Sequence, residues 1–125
     1  MPTSTSPVTT GFQHVALNVT DLDEALRFYL ETMGFEINPA RPDFGFPGAW
    51  LFVGAHQLHL MEAPGVEPDR RQHFALNVED VDAWETHLSA RGVKTFRLPE
   101  VPGAGRQIFI IDPSGNRIEL NEPGH

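Results

Sequence analysis

Three features of this sequence predict an α+β fold of two tandem βαβββ modules, with the strands making a cupped mixed sheet and the helices on its outer face. The first is an internal repeat: HVALNVTDLD from His14 returns as HFALNVEDVD from His73, with seven of ten positions identical at an offset of 59. Similarity at a fixed spacing marks a structural unit written twice. The second is a repeat at the far end of each unit, where Leu58-His59-Leu60-Met61-Glu62 falls against Ile118-Glu119-Leu120-Asn121-Glu122 at an offset of 60. The third is the succession of periods. Each unit opens with two-residue alternation, passes to helical spacing and returns to short apolar runs separated by Pro and Gly.

Residues 11–19 alternate as a strand, with Val15, Leu17 and Val19 on one face and His14, Ala16 and Asn18 on the other. Asp21 with Glu24 three positions on reads as a capping box, and Leu22, Ala25, Leu26, Tyr29 and Met33 form an apolar stripe at helical spacing. Gly34 ends that helix. A short strand follows over residues 35–38, then a Pro/Gly loop over 39–48 in which Phe44 and Phe46 line or cover something. Residues 50–53 and 58–62 are strands on either side of a tight turn at 54–57.

The polar stretch 63–72 links the modules, and its Arg70 and Arg71 read as a solvated pair. The second histidine strand leads to a helix capped by Asp80, buried through Val81, Trp84 and Leu88 and stopped at Gly92. Strands are predicted at 93–97, 107–111 and 117–122, with a loop at 98–106 and a hairpin turn at Asp112-Pro113-Ser114-Gly115-Asn116. In the last strand Ile118 and Leu120 face the core and Glu119 faces the other way. The predicted organisation is a disordered tail over 1–10 and one domain over 11–125, with module one at 11–62, the linker at 63–72 and module two at 73–123.

The chain has 125 residues, 40% of them hydrophobic, enough for one core but not for two independent ones, so the modules share a core. Nine Lys and Arg against 17 Asp and Glu give a net charge of −8 with no long basic run, which excludes nucleic acid and anionic membrane as principal partners. Without cysteine there is no disulfide framework, thiolate site or thiol nucleophile. No apolar run approaches a membrane span and the N-terminus lacks a signal-peptide pattern, so a cytoplasmic protein is expected.

Strand parity sets His14, His59, His73 and Glu119 on the face away from the helices, and the repeat pairs them: His14 with His73, His59 with Glu119. Three imidazoles and a carboxylate suit one divalent transition metal, Zn, Ni, Co or Fe. Such an ion is a Lewis acid for a small substrate with adjacent oxygens. Trp50, Phe44, Phe46 and Phe109 are candidates for apolar walls, and Arg106, near the expected pocket mouth, for clamping a substrate carboxylate or phosphonate. His56 and His125 read as solvated, and His87 as a surface residue.

The opening HVALNVTDLDEALRFYLETMGF and the ending FIIDPSGNRIEL resemble those of the vicinal oxygen chelate superfamily, and the resemblance runs over nearly the whole chain. That superfamily includes glyoxalase I, epimerases, fosfomycin-resistance thiol transferases, extradiol dioxygenases and bleomycin-resistance proteins. The resemblance implies metal ligands on the first, fourth, fifth and eighth strands, at His14, His59, His73 and Glu119. His59 departs from the His, Glu, His, Glu pattern of many bacterial glyoxalase I enzymes. As the one carboxylate of the four, Glu119 would be both ligand and catalytic base. The resemblance also implies a homodimer, often with ligands from both subunits in one site. The expected activity is that of a glyoxalase-like lyase or isomerase. The alternatives are a metal-free, antibiotic-binding protein of the bleomycin-resistance type, a thiol transferase or an extradiol dioxygenase.

Overall fold

A computed structural model describes residues 6–125, which begin with an exposed segment without regular structure before β1. Residues 1–5 of the tail expected over 1–10 lie outside the described residues. Strand β1 (His14–Val19) leads into helix α1 (Leu22–Leu26), which continues as a π-helical segment (Arg27–Thr32). Then come β2 (Glu36–Ile37), β3 (Gly48–Val53) and β4 (His56–Glu62). The second module repeats the order with β5 (His73–Asn77), α2 (Val81–Ser89), β6 (Phe96–Arg97), β7 (Arg106–Ile111) and β8 (Arg117–Glu122).

Each module forms its own four-stranded mixed sheet, in the orders β1-β4-β3-β2 and β5-β8-β7-β6. The cup is thus made of two sheets, one per module. In each, the first strand runs parallel to the last, and the other pairings are antiparallel.

Alternation sorts the side chains as expected. Leu58 and Leu60 of β4, Ile108 and Ile110 of β7, and Ile118 and Leu120 of β8 are buried against the helices. Ala25, Phe28, Tyr29 and Met33 from the first helical stretch, and Val81 and Leu88 from α2, complete one continuous core across both modules. The Asp21 and Asp80 side chains accept from the Glu24 and Ala83 amides at 3.0 Å as N-caps. A further first-turn amide in each helix is served from the end of the same module. Leu22 donates to Glu62 and Val81 to Glu122, at 2.9 and 3.0 Å.

The structure departs from the sequence reading at element boundaries. The π-helical stretch closes with an i→i−5 bond from Met33 to Phe28 at 3.0 Å. Phe28, absent from the expected stripe, is buried beside Tyr29. The ladders of β2 and β6 hold only two residues each, against the longer strands expected at 35–38 and 93–97, although the Asn38 amide still donates to the Trp50 carbonyl at 2.8 Å. The turn before β4 is confined to Gly54 and Ala55, Gly54 taking φ +57°, and His56 pairs with Val53 instead of lying in the turn. His87 reaches across the modules to the Thr32 carbonyl at 2.8 Å, and His125 contacts Glu122 at 2.7 Å.

Candidate metal and substrate site

On the face of the first sheet away from the helices, parallel pairing sets β1 beside β4. The His14 and His59 rings stack there, with centroids 3.9 Å apart and an interplanar angle of 18°. Trp50, the cross-strand neighbour of His59, covers its other face at 4.4 Å and 8°. Phe44 follows at 6.1 Å from Trp50, and Phe46 at 5.9 Å from Phe44. Five rings therefore run from the 39–47 loop to His14. His59 Nε2 lies 3.0 Å from Gln57 Oε1, an acceptor that also takes Asn38 Nδ2 at 3.2 Å. Burial, with smaller help from His14 and the Arg41 charge, lowers the His59 pKa, which favours the neutral, lone-pair-bearing imidazole. His14 Nδ1 contacts Gln13 Oε1.

The second sheet carries the matching pair. Glu119 is 6% exposed, and its Oε1 lies 3.1 Å from His73 Nε2. Its Oε2 accepts from Gln107 Nε2 at 3.0 Å and Asn121 Nδ2 at 2.8 Å. Burial raises the Glu119 pKa, but the hydrogen bonds from Asn121, Gln107 and His73, with the His73 charge, outweigh it and hold the carboxyl below its ordinary value. Phe109 pairs with Glu119 across β7 and β8 as Trp50 pairs with His59, and it meets the His73 ring edge-on at 5.3 Å.

Hydrogen-bond chemistry makes the His73–Glu119 contact informative. His73 Nδ1 lies 2.9 Å from the Arg71 carbonyl, which only accepts, so Nδ1 carries a proton. Nε2 then faces an ionised carboxylate oxygen, another acceptor. The contact is attractive only with a proton or a cation on Nε2. An imidazole N–H on a backbone carbonyl, and a carboxylate with its outer oxygen held by amides, are the supports that orient metal ligands. The chemistry of these donors is thus compatible with a divalent ion, but the chain presents them as two separate pairs. Among the described residues no group of three or more His, Asp or Glu is gathered within one chain. The structure joins His14 to His59 and His73 to Glu119.

Of the expected substrate contacts, Trp50 and Phe109 lie against these pairs, and Phe46 belongs to the ring series with 43% of its surface exposed. Arg106 shares the helix-side parity of Ile108 and Ile110, and it is matched by Glu100 at 2.9 Å and by Asp82 and Glu122 at 3.7 Å. It therefore turns away from Glu119. Residues that the sequence reading did not single out are Gln57, Asn121, Arg117, whose guanidinium lies 4.1 Å over Phe109, and Arg41. The parity of His59 and Glu119 is the signal that would have found Gln57, Asn121 and Arg117. Arg41, in a loop, has no such signal.

The duplicated βαβββ order, with one four-stranded sheet per module, defines a glyoxalase-like α+β scaffold. Residues 11–120 match the profile of the Glyoxalase/Bleomycin resistance protein/Dioxygenase superfamily, and the chain belongs to that family. It is 31% identical to Glyoxylase I 4 of Arabidopsis thaliana, over 89% of this chain and 70% of that protein. Among solved structures it is similar to a Bacillus anthracis protein assigned to the glyoxalase family, with a TM-score of 0.86 and 27% identity over 95% of this chain and 99% of that one. It is also similar to TnmS3, an antibiotic binding protein from Streptomyces sp. CB03234, with a TM-score of 0.78 and 28% identity over 95% and 100% of the two chains. No helix among the described residues is long and apolar enough to cross a membrane.

Proposed function

We infer that this protein is a metal-dependent, glyoxalase-like lyase or isomerase that acts on a small substrate with adjacent oxygens. It works as a cytoplasmic homodimer in which a second copy unites the two half-sites. The observation that carries the reading is the His73–Glu119 contact, two acceptors face to face unless a positive charge lies between them. His14, His59, His73 and Glu119 would hold the ion, which supplies Lewis-acid polarisation of the substrate oxygens when bound.

The chain's own residues hold this site in shape. His59 is kept flat between His14 and Trp50. Glu119 is kept ionised, with Oε2 tied down and Oε1 turned to His73. Its lowered pKa favours the ligand role over proton abstraction, since such a carboxylate holds a proton weakly. A base role requires Gln107 or Asn121 to release it. Trp50, Phe46 and Phe109 supply the apolar walls.

Elemental analysis of protein purified without chelator or His tag tests the reading. About one transition-metal ion per chain is expected for wild type, and little for His59→Ala or His73→Ala. Undiminished metal in His73→Ala would sink the shared site. The second reading, a metal-free binder of aromatic or antibiotic ligands, is favoured by the ring series and the kinship to TnmS3. It would take over if wild type neither contains nor takes up metal.

A further inference from the structure

We propose that Arg41 binds a carboxylate of the substrate, so that this site takes small carboxylic acids with a flat apolar portion. The proposal rests on the ligand-site reading above and adds the chemistry of the ligand. The position of the guanidinium is the first argument. An ideal Cβ on Gly48 would come within 2.7 Å of Arg41 Nη2, so the guanidinium occupies the space a side chain at that position would need. Gly48 alternates with Trp50 along β3, which puts Arg41 on the open face, one alternate position from the ring that stacks on His59.

The second argument is how the side chain is held. Its guanidinium carbon lies 5.1 Å from the Phe44 ring centroid and 5.3 Å from that of Phe46, and Nη2 donates to the Phe46 carbonyl at 2.9 Å. These contacts fix the plane of the group while using few of its five N–H donors. Charge is the third. Arg97 and Arg106 on the helix side are paired with Asp82, Glu85, Glu100 and Glu122, whereas no carboxylate of the described residues lies within ion-pairing distance of Arg41. In a chain of net charge −8, a preorganised guanidinium without an acidic partner has a free fork for an incoming carboxylate. Phe44 and Phe46, 51% and 43% exposed, offer flat apolar surface beside it. The clamp expected of Arg106 thus falls to Arg41.

Binding of benzoate and of its neutral counterpart benzamide, followed by calorimetry and tryptophan fluorescence, tests this. Wild type is expected to prefer benzoate by about tenfold or more. Arg41→Gln should weaken benzoate by several-fold, down to the benzamide level where no metal is bound, without changing benzamide, and Arg41→Lys, which keeps the charge and loses the fork, should fall between. Arg27→Gln, which removes an exposed positive charge elsewhere, should leave the preference intact. The proposal is overturned by no measurable benzoate binding, by equal affinity for both probes, or by a preference undiminished in Arg41→Gln. Equal losses for both probes in Arg41→Gln would assign the residue to loop shape and overturn the carboxylate role as well. Metal content measured on the same samples separates the two readings. A benzoate preference abolished by Arg41→Gln in protein that takes up no metal keeps the clamp and removes the metal reading; full metal content with no preference does the reverse.

Discussion

Glu119 concentrates the chemistry of the second sheet in one buried carboxylate, and its surroundings dictate how it responds to acid. Its folded-state pKa is below the ordinary value of 4.5. The stability it contributes is therefore fully present above that ordinary value and is lost as pH falls through the lower, folded value. Glu119→Gln keeps the shape, and its amide can donate to a neutral His73 Nε2, but it has no charge to titrate. Thermal unfolding between pH 7 and pH 2 should accordingly show a shallower acid-side loss for Glu119→Gln than for wild type. Profiles of equal slope would mean that the amide donors do not hold the carboxylate as described. At this scale the sequence was informative wherever a period existed. A two-residue alternation is enough to put His14, His59, His73 and Glu119 on open faces. Arg41 was hidden because a Pro/Gly loop has no period, and its place depends on a missing side chain at Gly48 on another element.

The elements repeat between modules more faithfully than their sequences do. Glu62 and Glu122 close the last strands and return to an amide in the first turn of their own helices, so strand end and helix start are tied in each unit. The pattern of strand, cap and helix was legible because N-caps and apolar periods are local signals. The π-helical stretch was not, since α and π turns draw on the same residues and leave no local sequence signal that separates them. The hairpin of β3 and β4 carries a prediction of its own. A Cβ at Gly48 would meet the Leu60 carbonyl oxygen at 2.5 Å, a backbone atom inside the sheet that cannot rotate away. Overpacking of this kind costs about 1–3 kcal/mol. That exceeds the roughly 0.4–1 kcal/mol gained by restricting the unfolded chain. Gly48→Ala should thus lower stability in urea unfolding and displace Arg41. Wild-type stability would show that the end of the hairpin yields.

The modules of one chain are joined by their helix sides and turns. The Tyr29 hydroxyl donates to buried Asp112 at 2.7 Å, Asn116 Nδ2 to the Asn18 carbonyl at 2.9 Å, and the Thr20 amide to Ser114 Oγ at 2.9 Å. Burial foremost, then the Asp112 charge and the hydrogen bond, raises the Tyr29 pKa and keeps that donor protonated. This joint accounts for one core spanning two sheets, and it leaves each sheet with one pair of candidate ligands, His14 with His59 and His73 with Glu119. If a second copy unites the pairs, each site of the dimer draws on both chains, and variants of different pairs must complement one another. His59→Ala spoils only the first pair and His73→Ala only the second. In a mixed dimer one site then has both lesions and the other has none. After unfolding, mixing in equal amounts and refolding, about half the dimers are mixed, so metal binding should return to about a quarter of the wild-type level. Neither variant refolded alone should recover any. A site built within one chain predicts no recovery on mixing, and that result would rule out the shared site while leaving the ligand set to be tested separately.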